Sequence, residues 1–255
     1  MKGTIIITGG TGLLGTSLVT QLVKNGYFVI ITTRSLDKQE LFIDKNQLES
    51  YRKSIIFLEL DYLKDQSIQN FVKELERNSI KPTAIIHNAR SLDTTKIEKD
   101  GRSLAENFLN EFKIGVVGPY ELTYEITKSR IGVDFKNIIF ISSIYGVVAP
   151  NPAIYDDFEQ QSPIQYGVTK AAQIHLSKEL SVRLAKKSIR VNTLSLGGIK
   201  GRADSSFIER YSELTTQKRM LDLDDCIKPI VFLLEDGSSG MNGHNLIIDS
   251  GWTVW

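Results

Sequence analysis

Seven short apolar runs, separated by longer amphipathic stretches, place the strongest constraint on how this chain can fold. Ile, Val and Leu dominate these runs, which lie at 4–8, 27–33, 54–60, 83–89, 137–143, 189–196 and 244–249. Continuous apolar runs of this length are typical of strands that are buried on both faces. Helical patterns lie between them, at 11–26, 65–78, 105–128, 166–187 and 222–236.

Strands that alternate with helices predict βαβ units and a parallel sheet. We therefore predict an α/β fold with a doubly wound, mostly parallel seven-stranded sheet and helices on both faces. The segment 35–52 is either a helix or an irregular connection. No low-complexity linker or internal repeat interrupts the pattern, so residues 1–255 are predicted to form a single domain.

Composition excludes several functional classes. The 255 residues are 41% hydrophobic and 24% charged, with a formal net charge of +1 and no basic stripe, so a nucleic-acid partner is not expected. No apolar run approaches the roughly 18 residues of a membrane helix. The single cysteine, Cys226, excludes an internal disulfide, and a cytoplasmic location is expected. The three histidines lack ligand spacing, so no metal site is predicted.

A glycine-rich turn joins the first predicted strand to the first predicted helix. Glycines at this point allow a tight turn, let backbone N–H groups approach a pyrophosphate, and direct the positive end of the helix at it. The alternative is a turn-forming cluster that binds no ligand. The residues predicted to bind a dinucleotide here are Gly9, Thr11, Gly12, Leu14 and Gly15.

The end of the second strand bears on the choice of dinucleotide. Thr33 stands where an acid would hold the ribose 2′-hydroxyl of NAD, and Arg34 beside it suits the 2′-phosphate of NADP. We therefore predict NADP, although Arg34 could instead be a solvated loop residue and Asp37 keeps NAD open. After the third strand, Asp61 is predicted to reach the adenine or to cap the next helix, and Tyr62 is included in the cofactor site.

The chain contains two tyrosine–lysine pairs with the same spacing. Tyr124 and Lys128 lie late in a predicted helix, whereas Tyr166 and Lys170 lie at the start of one. Ligands in doubly wound folds bind at the carboxyl ends of the strands, which is where helices begin. We therefore assign chemistry to Tyr166 and Lys170 and interpret the earlier pair as a helix surface.

A strand that ends in Ser142 and Ser143 reaches the same edge of the sheet as Tyr166. An ammonium group such as that of Lys170 stabilises a neighbouring phenolate, so the tyrosine can exchange a proton with an alcohol or carbonyl. The serine hydroxyl would orient the substrate oxygen, and a nicotinamide would carry the hydride. We predict an oxidoreductase with a small-molecule substrate and with Ser143, Tyr166 and Lys170 as catalytic residues.

Six segments in this order resemble the motifs of the short-chain dehydrogenase/reductase family, over essentially the whole chain. They are TGGTGLLG (8–15), LELD (58–61), HNAR (87–90), FISS (140–143), YGVTK (166–170) and RVNTLSLGG (190–198).

This resemblance implies a Rossmann fold of the single-domain type, with NADP or NAD as the cofactor. It also implies that Tyr166 is the general acid/base, that Lys170 binds the nicotinamide ribose, and that Ser143 positions the substrate. Asn88 and Ala89 would line the cofactor channel.

Several positions depart from the family pattern. Gly115 stands in place of a helix asparagine that supports a proton relay to the lysine, and Leu196 replaces a proline. The threonine that holds the carboxamide is absent, so backbone groups of Gly198 and Ile199 are expected to bind it. Arg90 replaces a small residue and could meet an anion or turn to solvent.

The segment between Ser143 and Tyr166 is longer than is usual in this family and carries an acidic cluster, so it is either a lid over a polar substrate or a surface excursion. Together with the ending IIDSGWTVW it resembles oxidoreductases of flagellin modification and surface-sugar biosynthesis. The expected substrate is therefore a sugar or nucleotide sugar. The alternatives are a 3-oxoacyl-thioester reductase that acts on acyl carrier protein, and a cofactor-binding regulator with little turnover.

Two features bear on assembly. Trp252 and Trp255 belong to an apolar tail that either covers the chain's own core or meets another subunit. The helix at 166–187 is expected to present Leu176, Leu180 and Leu184 on its outer face, although a core-facing stripe has the same spacing. With the family resemblance, these features favour a homodimer or homotetramer.

Overall fold

All seven predicted strands form, and they lie side by side in one parallel sheet. The computed structural model describes residues 2–201 and 203–255. The strands are β1 (Thr4–Ile7), β2 (Phe28–Thr33), β3 (Ile55–Glu59), β4 (Ala84–His87), β5 (Asn137–Ser143), β6 (Arg190–Leu196) and β7 (Asn245–Ile248). The sheet order is β3-β2-β1-β4-β5-β6-β7, with every neighbouring pair parallel, which confirms the predicted α/β, doubly wound fold.

The two faces of the sheet are buried in separate hydrophobic clusters. Ile5 and Ile7 of β1 belong to one cluster, whereas Ile6 between them belongs to the other, where it pairs in register with Ile30 and Ile85. Successive side chains of a strand point to opposite faces, so a strand covered on both sides is apolar at every position. This explains why the runs in the sequence are continuous rather than alternating.

Helices cover both faces. They are α1 (Leu13–Lys24), α2 (Gln39–Lys45), α3 (Ser67–Arg77), α4 (Ala105–Phe112), α5 (Gly118–Lys128), α6 (Phe158–Gln161), α7 (Ile164–Leu184), α8 (Ser205–Glu213) and α9 (Leu223–Leu234). The first cluster receives side chains from α1, α2 and α9, and the second receives them from α3, α5 and α7. The ambiguous segment 35–52 contains the short helix α2 followed by part of a 3₁₀ turn, and α8 had no counterpart in the predicted pattern.

The helix predicted as continuous over 105–128 is divided into α4 and α5 by a π-helical turn at Lys113–Val117. Pro119 gives the physical reason. Proline has no N–H, so an α-helical hydrogen bond from residue 119 to the Gly115 carbonyl cannot form. The Gly115 carbonyl instead accepts a hydrogen bond from Gln173 Nε2 on α7, at 2.8 Å.

One expectation about the surface needs correction, and one open alternative is resolved in part. Leu180 and Leu184 of α7 are buried in the second cluster and Leu176 packs against it, so this stripe faces the chain's own core, and its assignment to an outer face was wrong. The two terminal tryptophans differ in burial. Trp252 is buried against Tyr211, with ring centroids 4.3 Å apart, whereas Trp255 is 76% exposed. No helix in the described ranges combines the length and apolarity needed to cross a membrane.

The close contact between the π-helical turn and α7 can be tested by substitution. A Cβ on Gly115 would lie 2.3 Å from Thr169 Cγ2, so we expect Gly115→Ala to lower the free energy of unfolding by about 1–3 kcal/mol. Thr169→Ser removes that methyl group, and in its background Gly115→Ala should cost much less. Urea denaturation of the four proteins in this double-mutant cycle measures the difference. An equal loss in both backgrounds would contradict the proposed contact.

Candidate active site

The glycine turn lies where the sheet order reverses. The chain runs outward from β1 to β2 and β3, then returns to β4 on the other side of β1, which opens a crevice at the carboxyl ends of β1 and β4. Gly9 has a φ of +64°, and a Cβ there would lie 2.9 Å from Ala89 Cα. A Cβ on Gly15 would lie 2.4 Å from the Gly9 carbonyl oxygen. Both positions therefore require glycine.

Thr8 and Asn88 hold this turn in shape. Thr8 Oγ1 accepts hydrogen bonds from the backbone N–H groups of Asn88 and Ala89, at 2.9 and 3.0 Å. The Asn88 side-chain amide donates to the carbonyls of Thr8 and Gly9, at 3.0 and 3.1 Å. Asn88 thus ties the turn after β1 to the end of β4.

The start of α1 suits a pyrophosphate. Gly12 is the N-cap residue and has no side chain to accept hydrogen bonds from the first-turn N–H groups. Those groups and the positive end of the helix dipole are therefore available to an anion. Thr11 is exposed at this point, whereas the Leu14 side chain is buried in the first cluster and can serve a ligand only through its backbone. The residues present fit a dinucleotide.

Arg34 is exposed directly after β2, at the same edge of the sheet. Across 2–201 and 203–255 no carboxylate lies within ion-pair distance of it. The carboxylate of Asp37 accepts a hydrogen bond from Ser35 Oγ at 2.7 Å, so it is engaged within the turn. Arg34 therefore presents a guanidinium group without an ion-pair partner, among the residues that the structure describes, at this edge of the sheet.

The third-strand residues differ from expectation. Asp61 Oδ1 accepts a hydrogen bond from the Leu63 N–H at 3.0 Å and so forms a local turn, while the N-cap of α3 is Gln66. Tyr62 is buried in the second cluster, where a Cβ on Gly118 would lie 2.5 Å from its ring, and burial raises its pKa. Only the backbone of Tyr62 could contact a cofactor, because the Tyr62 side chain is buried in the core and lies outside the predicted site.

The candidate catalytic set, Ser143, Tyr166 and Lys170, is held together by contacts between β5 and α7. Ser143 is the last residue of β5, and Tyr166 lies in the first turn of α7. Ser142 Oγ donates to the Lys170 carbonyl at 2.9 Å, and Lys170 Nζ donates to the Ile141 carbonyl at 2.8 Å. These two bonds fix the start of α7 against the end of β5.

The two tyrosine–lysine pairs have the same local geometry. The lysine Nζ lies 5.6 Å from the ring centroid in both Tyr124–Lys128 and Tyr166–Lys170. Their surroundings differ, because Tyr124 is 49% exposed on the last turns of α5, whereas only 7% of Lys170 is accessible. Since α5 ends before β5 begins, Tyr124 lies at the amino edge of the sheet, as the sequence predicted.

Lys170 is a buried cation with three neighbours that sequence reasoning missed or left open. Its Nζ donates to Gln173 Oε1 at 2.9 Å, and Gln173 in turn donates to the Gly115 carbonyl. Burial lowers the pKa of Lys170 from 10.5 to about 8; the carboxylate of Glu111 opposes this effect and the Arg90 guanidinium adds to it. Glu111 is itself 3% exposed and accepts a hydrogen bond from a threonine hydroxyl.

Helix periodicity would have identified one of these neighbours. Tyr166, Lys170 and Gln173 occupy positions i, i+4 and i+7 of α7, which share one helix face. Glu111 carries no comparable signal, because its burial depends on how α4 packs. Its hydrogen-bond partner is Thr94, whose position comes from the loop after β4.

Arg90 lies over the candidate acid/base. Its Cζ is 4.7 Å from the centroid of the Tyr166 ring, although the side chain remains exposed at the mouth of the crevice. The ring therefore contacts one cation from the end of β4 and another, Lys170, from its own helix. Arg90 therefore borders the site while it stays open to solvent, and its contact with an anion stays a prediction.

The backbone at the end of β6 is partly occupied. The Gly198 N–H donates to the Tyr211 hydroxyl at 2.7 Å, and its carbonyl accepts from the Leu221 N–H at 2.8 Å. Both backbone groups of Gly198 are therefore engaged within the protein, and contact of its backbone with a carboxamide stays a prediction. Ile199 forms a short parallel bridge with Leu221 at the same edge and remains a candidate.

The burial of Lys170 gives a stability prediction with a definite sign. The folded chain releases this proton near pH 8 and the unfolded chain near pH 10.5, so the unfolded state binds more protons between these values. The free energy of unfolding should therefore gain about 3 kcal/mol from Lys170 as the pH rises through this window. Comparison with Lys170→Met by urea denaturation at both pH values isolates the effect. A difference between the two proteins that stays constant with pH would contradict it.

The chain is similar to several known proteins. A family model described as enoyl-(acyl carrier protein) reductase matches residues 12–253. The post-translational flagellin modification protein A of Campylobacter coli is 30% identical over 251 residues, which cover 97% of both chains. The ribulose-forming D-arabinitol 2-dehydrogenase of Candida tropicalis is 25% identical over 271 residues, with 98% of this chain and 92% of the relative covered.

Among solved structures, a short chain dehydrogenase from Leptospira borgpetersenii with bound NAD⁺ is 27% identical, with a TM-score of 0.84. The match covers 98% of this chain and 92% of that one. The glycine turn, the buried lysine and these similarities lead to one conclusion: the chain belongs to the short-chain dehydrogenase/reductase family and is an NAD(P)-dependent oxidoreductase.

Proposed function

We propose that this enzyme interconverts an alcohol and a carbonyl on a polar, hydroxylated substrate, with Tyr166 as the general acid/base. The observation that carries the proposal is the position of Tyr166. It lies at the carboxyl edge of the sheet, on the first turn of α7, beside the buried ammonium group of Lys170. A phenol at this place can exchange a proton with a substrate oxygen.

The other members of the candidate catalytic set have distinct roles. Ser143 ends β5 beside the start of α7, so its hydroxyl can hold the substrate oxygen near the Tyr166 hydroxyl. Lys170 stabilises negative charge on the phenol and would bind the nicotinamide ribose. A nicotinamide dinucleotide supplies or accepts the hydride when it is bound. The dinucleotide would be held along the crevice by the glycine turn and by Asn88, Ala89, Asp61 and Ile199.

Arg34 favours NADP as the preferred dinucleotide. Its guanidinium group is unpaired within the described residues, and Thr33 beside it offers no carboxylate to a ribose 2′-hydroxyl. A guanidinium group forms strong, charge-assisted hydrogen bonds with a phosphate. NAD remains the alternative, because the Leptospira relative has NAD⁺ bound.

For the substrate we propose a sugar or nucleotide sugar used in surface-glycan biosynthesis. Two relatives support this class: one is named for flagellin modification, and another for the oxidation of D-arabinitol to ribulose. The description of the matching family model keeps an acyl carrier protein reductase as the alternative. A cytoplasmic homodimer or homotetramer remains our prediction for the assembly.

The role of Tyr166 can be tested against a matched tyrosine in the same chain. We expect Tyr166→Phe to lower kcat by about 10²–10⁴-fold, because it removes the exchangeable proton. Tyr124→Phe, which alters the exposed pair with the same spacing, should leave kcat unchanged. Absorbance of the nicotinamide measures turnover with a panel of ketoses, nucleotide sugars and a 3-oxoacyl thioester.

Fluorescence titration should show that both variants bind NADPH as the wild type does. Tight binding of NADPH by the wild type, without turnover of any carbonyl in the panel, would instead support the cofactor-binding regulator.

Cofactor preference gives a separate test. We expect Arg34→Ala to weaken NADPH binding about 10–100-fold, the value of one or two charge-assisted hydrogen bonds, while NADH affinity changes little. Arg77→Ala, which alters an exposed arginine at the end of α3, is the control. Isothermal titration with both cofactors measures the constants. Unchanged NADPH affinity in Arg34→Ala would remove the basis for choosing NADP.

A further inference from the structure

Two tyrosine hydroxyl groups meet beside the candidate catalytic set. The first belongs to Tyr145, on the turn that follows β5, whose backbone N–H donates to Ser143 Oγ at 3.2 Å. A Cβ on Gly146 would lie 2.6 Å from the carbonyl carbon of Lys170, so this turn is pressed against α7. Tyr145 is therefore positioned by the same elements that position the catalytic set.

The second hydroxyl comes from Tyr155, in the long segment before α7. The preceding residue, Ile154, is fully buried, and its carbonyl accepts a hydrogen bond from Arg210 Nε at 3.0 Å. The Tyr155 ring packs edge-on against Phe158 and Phe207, with centroids 5.6 and 5.9 Å away. These contacts anchor the segment on α8, so Tyr155 is held in place rather than carried on a free surface loop.

The two phenol oxygens lie 2.8 Å apart. Burial raises the pKa of both groups, so both stay neutral. A Cβ on Gly167, the residue after Tyr166, would lie 3.9 Å from Tyr145 Cβ, so the pair adjoins the candidate acid/base. One hydroxyl donates to the other, which leaves one hydrogen and several lone pairs for a ligand. A ligand hydroxyl can donate a hydrogen bond to one phenol oxygen and accept a hydrogen bond from the other phenol.

We propose that the Tyr145–Tyr155 pair binds a substrate hydroxyl next to the reacting carbon, so that the enzyme selects hydroxyketones and polyols over plain ketones and acyl chains. This inference rests on the proposed function and names the substrate class for the same site. A site built to hydrogen-bond a hydroxyl discriminates strongly against an analogue without one, because its polar groups then lose their partner. Tyr145 and Tyr155 are thus specificity-determining residues.

Two ring ketones that differ by one hydroxyl group, 2-hydroxycyclohexanone and cyclohexanone, provide the test. We expect the wild type to favour the hydroxyketone in kcat/KM by at least about tenfold. Tyr145→Phe and Tyr155→Phe should each remove most of this preference by raising KM for the hydroxyketone alone. Tyr124→Phe is the matched control and should keep it.

The same comparison can be made without turnover. Quenching of NADPH fluorescence in the Tyr166→Phe complex reports the affinity for each ketone, with Tyr145→Phe and Tyr155→Phe added to that background. A preference that disappears in these variants supports the inference. Equal affinity for the two ketones, equal losses for both, or no saturable binding of the hydroxyketone overturns it. Failure of the proposed function appears separately, as a lack of NADPH oxidation by the wild type.

Discussion

The buried ammonium group of Lys170 is the interaction on which the arrangement of this site depends. A charge removed from water is tolerated only when hydrogen-bond acceptors replace the solvent. Here the acceptors are the Ile141 carbonyl on β5 and the Gln173 amide on α7. Because both distances must be kept, the end of β5 and the first turns of α7 are fixed relative to each other. Tyr166, one turn before the lysine, is thereby placed at the edge of the sheet where a dinucleotide would lie.

The residues that connect this lysine to the π-helical turn depend on one another. Pro119 frees the Gly115 carbonyl from the helix, and the Gln173 amide uses it, so Gln173 joins the lysine to the π-helical turn. Gly115 must be small because Thr169 packs directly against it. An asparagine side chain at position 115 would clash with Thr169 in this packing. Gln173 instead provides the polar connection between the lysine and the turn.

The sequence predicted the sheet well because its signal is local. A strand buried on both faces is apolar at each position, and seven such runs with helices between them allow few topologies. Local signals failed where contacts between distant parts of the chain determine the position of a side chain. Helix periodicity could not tell which side of α7 Leu180 faces, nor show that Tyr62 is covered by the start of α5. The position of Tyr155 depends on contacts with α8, a helix that the pattern missed.

Charge at the site favours the proton exchange proposed for Tyr166. Arg90 and Lys170 both lie near its ring, and both bear positive charge, whereas the nearby carboxylate of Glu111 accepts a hydrogen bond from Thr94 and acts on the lysine. Negative charge that develops on the phenol oxygen therefore meets two cations in a partly desolvated place, where Coulomb interactions are stronger than in water. Loss of the Lys170 proton would remove one of these two positive charges. Because burial lowers the pKa of Lys170 to about 8, the packing that positions this lysine also sets the pH above which the site loses one of its cations.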